Sequence, residues 1–196
     1  MAYQTYTTDA LVIGSKNRLT ADRMVALFTR EAGLVYARAV SVRREQSKLR
    51  YGLQDFSLSR VSLVRGKQGW RITGAECEGN LYFAANNRRS RGALLRTLKL
   101  VHRLVRGEET HVALYDLLLD GLMELTLGQE SEIVRGERIL SLRILSALGY
   151  VSPKETYRQV LMAPSLRAAL SCQTDSISEE KEVKFAIDTA LLSSQL

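Results

Sequence analysis

Residues 23–42 read RMVALFTREAGLVYARAVSV, and the spacing of their apolar side chains is that of two strands joined by a tight turn. Met24, Ala26 and Phe28 fall on one face of the first strand, Val25 and Leu27 on the other. In the second, Val35, Ala37 and Ala39 oppose Tyr36, Arg38 and Val40. A period of two is what a half-buried strand requires, because successive side chains point to opposite faces. Glu31-Ala32-Gly33 is short enough to close a hairpin. Outward from this pair, residues 8–14, 56–64 and 70–75 are similarly rich in Val, Leu, Phe, Tyr and Thr, and Gly66-Lys67-Gln68-Gly69 marks a second hairpin. Five short strands with no helical pattern between them predict a small closed or partly closed barrel. An SH3-like barrel satisfies the same pattern.

Beyond residue 83 the period changes. Leu94, Leu98, Val101 and Val105 recur at helical spacing within a helix expected over 91–106, and Arg96, Lys99, Arg103 and Arg106 form a basic stripe opposite. Gly107-Glu108-Glu109-Thr110 reads as a break. Further helices are expected over 112–127 and 131–148, the latter stopping at Gly149 with Pro153 beyond. A short helix after Pro164 and one over 179–192, with Ser176 and Glu179 as a capping box, complete the chain. The fold class is therefore α+β: a β-barrel domain over residues 1–83, then a helical bundle over 84–196.

The 196 residues carry 28 Lys+Arg and 21 Asp+Glu, a net +7, and the charge is segregated. Residues 1–83 hold 13 basic and 7 acidic side chains, residues 84–111 hold 7 and 2, and residues 112–196 hold 8 and 12. The basic excess of the first two segments is the electrostatic footprint expected for a nucleic-acid partner, although a solubilising surface has the same sign. No apolar run approaches the ~18 residues of a membrane span, and the N-terminus lacks the basic and apolar regions of a secretory signal. A cytoplasmic, nucleoid-associated protein is the expectation. Only Cys77 and Cys172 are present, which fits neither a disulfide framework nor a zinc site.

Catalytic signals are weak. There is no phosphate-binding glycine loop and no nucleophile motif, and His102 and His111 lack the spacing of a helix-borne metal pair. Asp116 and Asp120 share a helix face and read as solvated carboxylates before they read as Mg²⁺ ligands. Trp70 opens a strand and reads as a plug for the barrel. The expectation is a protein that is not an enzyme and needs no cofactor or metal.

The densest functional signal lies at residues 38–56, RAVSVRREQSKLRYGLQDF. Arg38, Arg43, Arg44, Lys48 and Arg50 are placed to neutralise phosphates. Tyr51 can stack on an unpaired base, and Ser47 and Gln54 can bond to phosphate oxygens. A mobile, solvated loop is the plain alternative.

At these positions the sequence resembles the RecO family of bacterial DNA repair and recombination mediators. Ala21-Asp22-Arg23-Met24-Val25-Ala26-Leu27-Phe28-Thr29-Arg30-Glu31-Ala32-Gly33 is similar to the family's D-R-hydrophobic-x-x-[LF]-T-R-E-x-G hairpin. The stretch from Arg43 to Leu49 resembles its basic R-x-x-x-S-x-L segment, and Leu53-Gln54-Asp55-Phe56 its L-Q-P-[FL]. Leu104-Val105-Arg106-Gly107-Glu108-Glu109 and Leu117-Leu118-Leu119 are similar to the first bundle helices, and the stretch from Arg143 to Tyr150 to the R-[LI]-L-x-x-L-G-Y signature. Two departures stand out. The K-G-[AVS]-R that precedes the family's basic loop is here Val40-Ser41-Val42-Arg43. The cysteine pairs of its zinc ribbon have no counterpart after Tyr150, so a short, metal-free member is expected.

The resemblance implies an OB-fold barrel packed on a helical domain. It implies non-catalytic binding of single- and double-stranded DNA and annealing of complementary strands. The implied partners are RecR, single-strand-binding protein through its acidic C-terminal tail, and, indirectly, RecA. On this reading Lys16 and Arg18 in the first connection, and Arg88, Arg89 and Arg91 at the domain junction, extend the DNA track of the loop. The stripe at Arg96, Lys99, Arg103 and Arg106 either lengthens that track or receives the acidic tail. An RNA-binding or protein-adaptor module without annealing activity is the competing expectation.

Overall fold

The computed structural model describes residues 4–18, 20–172 and 177–193. Five strands, β1 (Thr5–Arg18), β2 (Asp22–Thr29), β3 (Gly33–Ala39), β4 (Ser57–Gly66) and β5 (Gly69–Asn80), close into a barrel in the order β1-β2-β3-β5-β4. All neighbours are antiparallel except β3 and β5, which meet in parallel at Ala37↔Trp70 and Arg38↔Arg71. A five-stranded barrel with this crossover, and a helical turn between β3 and β4, is an OB-fold. The SH3-like alternative is excluded by the strand order.

The barrel closes because its inward positions are apolar and small enough. Ala10, Val12, Val25, Leu27, Val35, Ala37, Ala39, Val61, Leu63 and Ile72 are all buried in one cluster. Each large aliphatic side chain withdrawn from water contributes about 1.5–3 kcal/mol. The expected alternation holds: Met24↔Arg38, Ala26↔Tyr36 and Phe28↔Leu34 are the outward pairs of β2 and β3. The turn α1 (Leu49–Gly52) plugs one end. Leu49 and Leu53, four apart, pack on the core, leaving Arg50 and Tyr51 exposed.

The chain divides into two compact units, 1–84 with Val105–Tyr115, and Ala85–Leu104 with 116–196. In the first, the stretch read as a break between helices folds back on the barrel. Leu34 N donates to Gly107 O (3.0 Å), Thr110 Oγ1 to Glu31 O (2.7 Å) and Trp70 Nε1 to Glu108 (2.9 Å). Tyr115 covers the outward Phe28, ring centroids 5.7 Å apart.

After the short α2 (Leu81–Ala84), which belongs to the first unit, the second contains α3 (Arg88–Leu104), α5 (Ile133–Ala147), α6 (Glu155–Met162), α7 (Leu166–Ser171) and α8 (Ile177–Ser193), with most of α4 (Val112–Leu127). The α6 helix has no counterpart in the sequence reading. Its buried Tyr157 joins Leu104, Leu142, Leu145, Val151 and Ala190 in a core. Asp116 and Asp120 are both exposed, as expected, and Asp120 Oδ2 also accepts Leu166 N (2.7 Å) at the start of α7. Arg143 is buried and donates to Ala163 O (2.7 Å), and burial pulls its pKa down. Ser176, the cap of the box expected with Glu179, lies outside the described residues. Among the described residues, no helix is long and apolar enough to cross a membrane.

Candidate nucleic-acid interface

The connection from β3 to β4 begins with a knot of polar bonds. Arg38, outward on β3, donates to Asp22 Oδ2 through both Nε (2.9 Å) and a terminal nitrogen (2.6 Å). The other oxygen of Asp22 accepts the backbone N–H of Ser41 (2.8 Å). Ser41 has φ +54°, a conformation that costs an L-residue about 1–2 kcal/mol. It also occupies the glycine position of the family's K-G-[AVS]-R, so the Asp22 bond supports here what glycine adopts freely. Ser41→Gly is expected to raise Tm by roughly 2 °C, the net of relieved strain and added chain entropy, in a thermal melt.

The Ser41 amide, then the Arg38 guanidinium, hold the Asp22 carboxyl below its ordinary pKa. A group depressed in the folded state contributes stability that is fully present above its unfolded pKa. That stability disappears as pH falls through the lower folded value. The wild-type Tm should therefore decline below the ordinary carboxylate range of about pH 4 more steeply than that of Asp22→Asn, compared by melts across the acid range.

Beyond the knot the loop presents its cations. The backbone N–H of Arg43 donates to Ala21 O (3.1 Å) and its guanidinium to Thr20 O (3.1 Å), tying this loop to the β1–β2 connection. Arg23, Arg43, Arg50, Gln54 and Val42 line one concave cavity of about 400 Å³. Arg23 is the residue that sequence reading missed. It shares the inward face of β2 with Val25 and Leu27 but lies at the strand's end, where its Nε reaches Asn17 Oδ1 (3.3 Å). A charge at core parity near a strand terminus was the available signal.

The remaining sequence candidates separate clearly. Arg44, Lys48 and Tyr51 are exposed and unpaired among the described residues, Tyr51 at 70%. Lys16 and Arg18 are exposed too, but on the last rungs of β1 rather than in a loop, opposite Met24 and Asp22. Arg38 is committed to Asp22. In the helical unit, Arg89 pairs with Glu130 (3.3 Å), Arg96 makes a two-pronged pair with Glu137 (2.6 and 2.7 Å), and Arg91 donates to Ala85 O. Arg88, Lys99, Arg103 and Arg106 remain exposed. Trp70 is half-buried at the barrel edge, with Tyr6 edge-on at 5.5 Å and Arg65 over its ring at 5.4 Å. That is the expected plug, with a polar rim.

Residues 1–81 of this barrel match the family model described as recombination protein O N terminal. A DNA repair protein RecO of Dehalococcoides mccartyi (strain BAV1) is 30% identical over 145 residues, covering 74% of this chain and 56% of that protein. The chain belongs to the RecO family. Another RecO-named relative, from Pelotomaculum thermopropionicum, is 30% identical over 147 residues, 74% of this chain and 56% of its own length. A third, from Symbiobacterium thermophilum, is 28% identical over 187 residues, which span 92% of this chain and 66% of that protein. The chain thus spans a little over half the length of the first two curated relatives it matches. For a RecO-family barrel, the exposed cations of the β3–β4 loop occur on the connection that the resemblance marks as basic.

Proposed function

We propose that this RecO-family chain is a non-catalytic DNA-binding mediator of recombination in DNA repair, working in the cytoplasm. It binds single- and double-stranded DNA and anneals complementary strands. With RecR it helps RecA load onto DNA coated by single-strand-binding protein, whose acidic tail meets the exposed cations of α3. The observation that carries the reading is the β3–β4 loop: Arg43, Arg44, Lys48 and Arg50 sit together at one end of an OB barrel, without an acidic partner among the described residues. Lys16 and Arg18 extend this track on β1. In the helical half, taken as residues 84–196, Arg88, Lys99 and Arg103 are the exposed contributors. Arg38, Arg89 and Arg96 hold intramolecular carboxylates and contribute less.

Four phosphate contacts on single-stranded DNA give a slope of log K against log[salt] of roughly −0.7 per contact, about −3 in all. Between 50 and 200 mM salt the affinity should then fall by about 50-fold. Anisotropy titrations across that range measure it, and a flat salt response would remove the loop from the interface. A strand-annealing assay, run with and without single-strand-binding protein, tests the mediator role itself. Binding without any acceleration of annealing would leave a DNA-binding module alone.

A further inference from the structure

The cavity at the barrel end differs in kind from the exposed loop beside it. Three arginines, Arg23, Arg43 and Arg50, line one recess with Gln54 and the apolar Val42, and no acidic residue among the described residues lines it. Asp22, the acidic residue nearest in sequence to Arg23, is occupied by Arg38 and the Ser41 amide. Two of the three arginines are held by groups that do not themselves line the recess: Arg43 by the Thr20 carbonyl, and Arg23 by the Asn17 side chain. Each guanidinium carries five N–H donors, so both keep donors for a ligand. Three like charges gathered in one recess repel one another until an anion enters.

The shape and charge select among anions. A phosphodiester inside a strand carries one charge and two unesterified oxygens, and its chain must leave in both directions. A terminal phosphate monoester carries about −1.5 to −2 charges at neutral pH and three acceptor oxygens, with one chain leaving. Arginine forks match such oxygens in pairs. A concave site of about 400 Å³ lies in the range that holds a small ligand or the end of a chain.

We propose that the recess formed by Arg23, Arg43, Arg50 and Gln54 receives the terminal phosphate of a DNA strand, so that the barrel distinguishes a phosphorylated end from a continuous backbone. This rests on the DNA-binding reading above. Arg44 and Lys48, which do not line the recess, serve only the continuous backbone, whereas Arg43 and Arg50 serve both.

The test uses the full chain and fluorescence anisotropy with three short single-stranded oligonucleotides. One carries a 5′-phosphate, one a 3′-phosphate, and one has hydroxyls at both ends and two extra nucleotides, so that its total charge equals or slightly exceeds theirs. At least one phosphorylated form is expected to bind roughly tenfold more tightly than the hydroxyl form, the gain of one further charge-assisted hydrogen bond. Arg23→Gln should abolish that difference while still binding the hydroxyl form, whereas Arg50→Gln should abolish it and also weaken all three by one backbone contact. Arg44→Gln should weaken all three alike. Equal affinity of the wild type for all three overturns the recess assignment and leaves DNA binding standing. Failure to bind any of them at low salt overturns the underlying reading instead. A deoxynucleoside monophosphate that competes as well as the phosphorylated oligonucleotide makes the ligand a free nucleotide, which also overturns the assignment.

Discussion

Replacing Arg43, Arg44 and Lys48 together by Glu is expected to weaken single-stranded DNA binding by at least about 100-fold at moderate salt. The three side chains supply most of the exposed charge of the β3–β4 loop, and all three are exposed. Their reversal removes three phosphate contacts and places three carboxylates along the same path, so both attraction and steering are lost. The salt slope should drop with the affinity, from about −3 towards −0.7, because one cation, Arg50, is left of the four. The barrel itself should survive. Arg44 and Lys48 have no side-chain partner among the described residues, and the one exposed bond from Arg43 to Thr20 O is a small term beside the buried barrel cluster. Circular dichroism and a melt within a few degrees of wild type should accompany the binding loss. Unchanged affinity in a folded triple variant would falsify the assignment of this loop.

The largest stability effect is expected at Gly33. Its φ of +63° is left-handed, and a Cβ built there would collide with the backbone carbonyl of Glu109. Alanine therefore meets two obstacles at once. The left-handed conformation costs about 1–2 kcal/mol, and forcing a methyl against fixed backbone costs about 1–3 more. At roughly 2–4 °C per kcal/mol for a chain of this size, Gly33→Ala should lower Tm by about 5–15 °C. Gly69 supplies the control. It also has positive φ, +96°, but open space where its Cβ would be, so Gly69→Ala should cost only the conformational part. Equal destabilisation by the two substitutions would mean that the approach of residues 107–110 to the β2–β3 turn contributes nothing.

The comparison of these glycines shows where sequence reading stops. Gly33 was legible as the end of a three-residue hairpin, and Gly69 as part of another, since both follow from local turn chemistry. That Gly33 also holds a close approach by Glu109, 76 positions later, depends on a segment that reads only as a break between helices. The α6 helix escaped for a related reason: its eight residues carry only two buried positions, Tyr157 and Val160, too few for a periodic signal.

The arginines carry the same lesson into the candidate site. Composition and periodicity located the basic stretch, the five strands and the main helices, because side-chain period is a property of the local backbone and charge density is a property of the chain. The family is legible separately, by resemblance, in the motifs at residues 21–33, 43–49, 53–56 and 143–150. Composition and periodicity did not separate one arginine from another. Arg38 and Arg43 lie five residues apart in one basic run, yet Arg38 is locked to Asp22 across the β2–β3 ladder while Arg43 lines an open recess. Arg96 sits in a basic helical stripe, and Glu137 on another helix occupies its guanidinium. Arg23 was hidden inside a strand until the barrel end brought it beside Arg43 and Arg50. Which cations remain available is a matter of non-local pairing, and pairing is decided by the distances that closing the barrel and packing the helices impose.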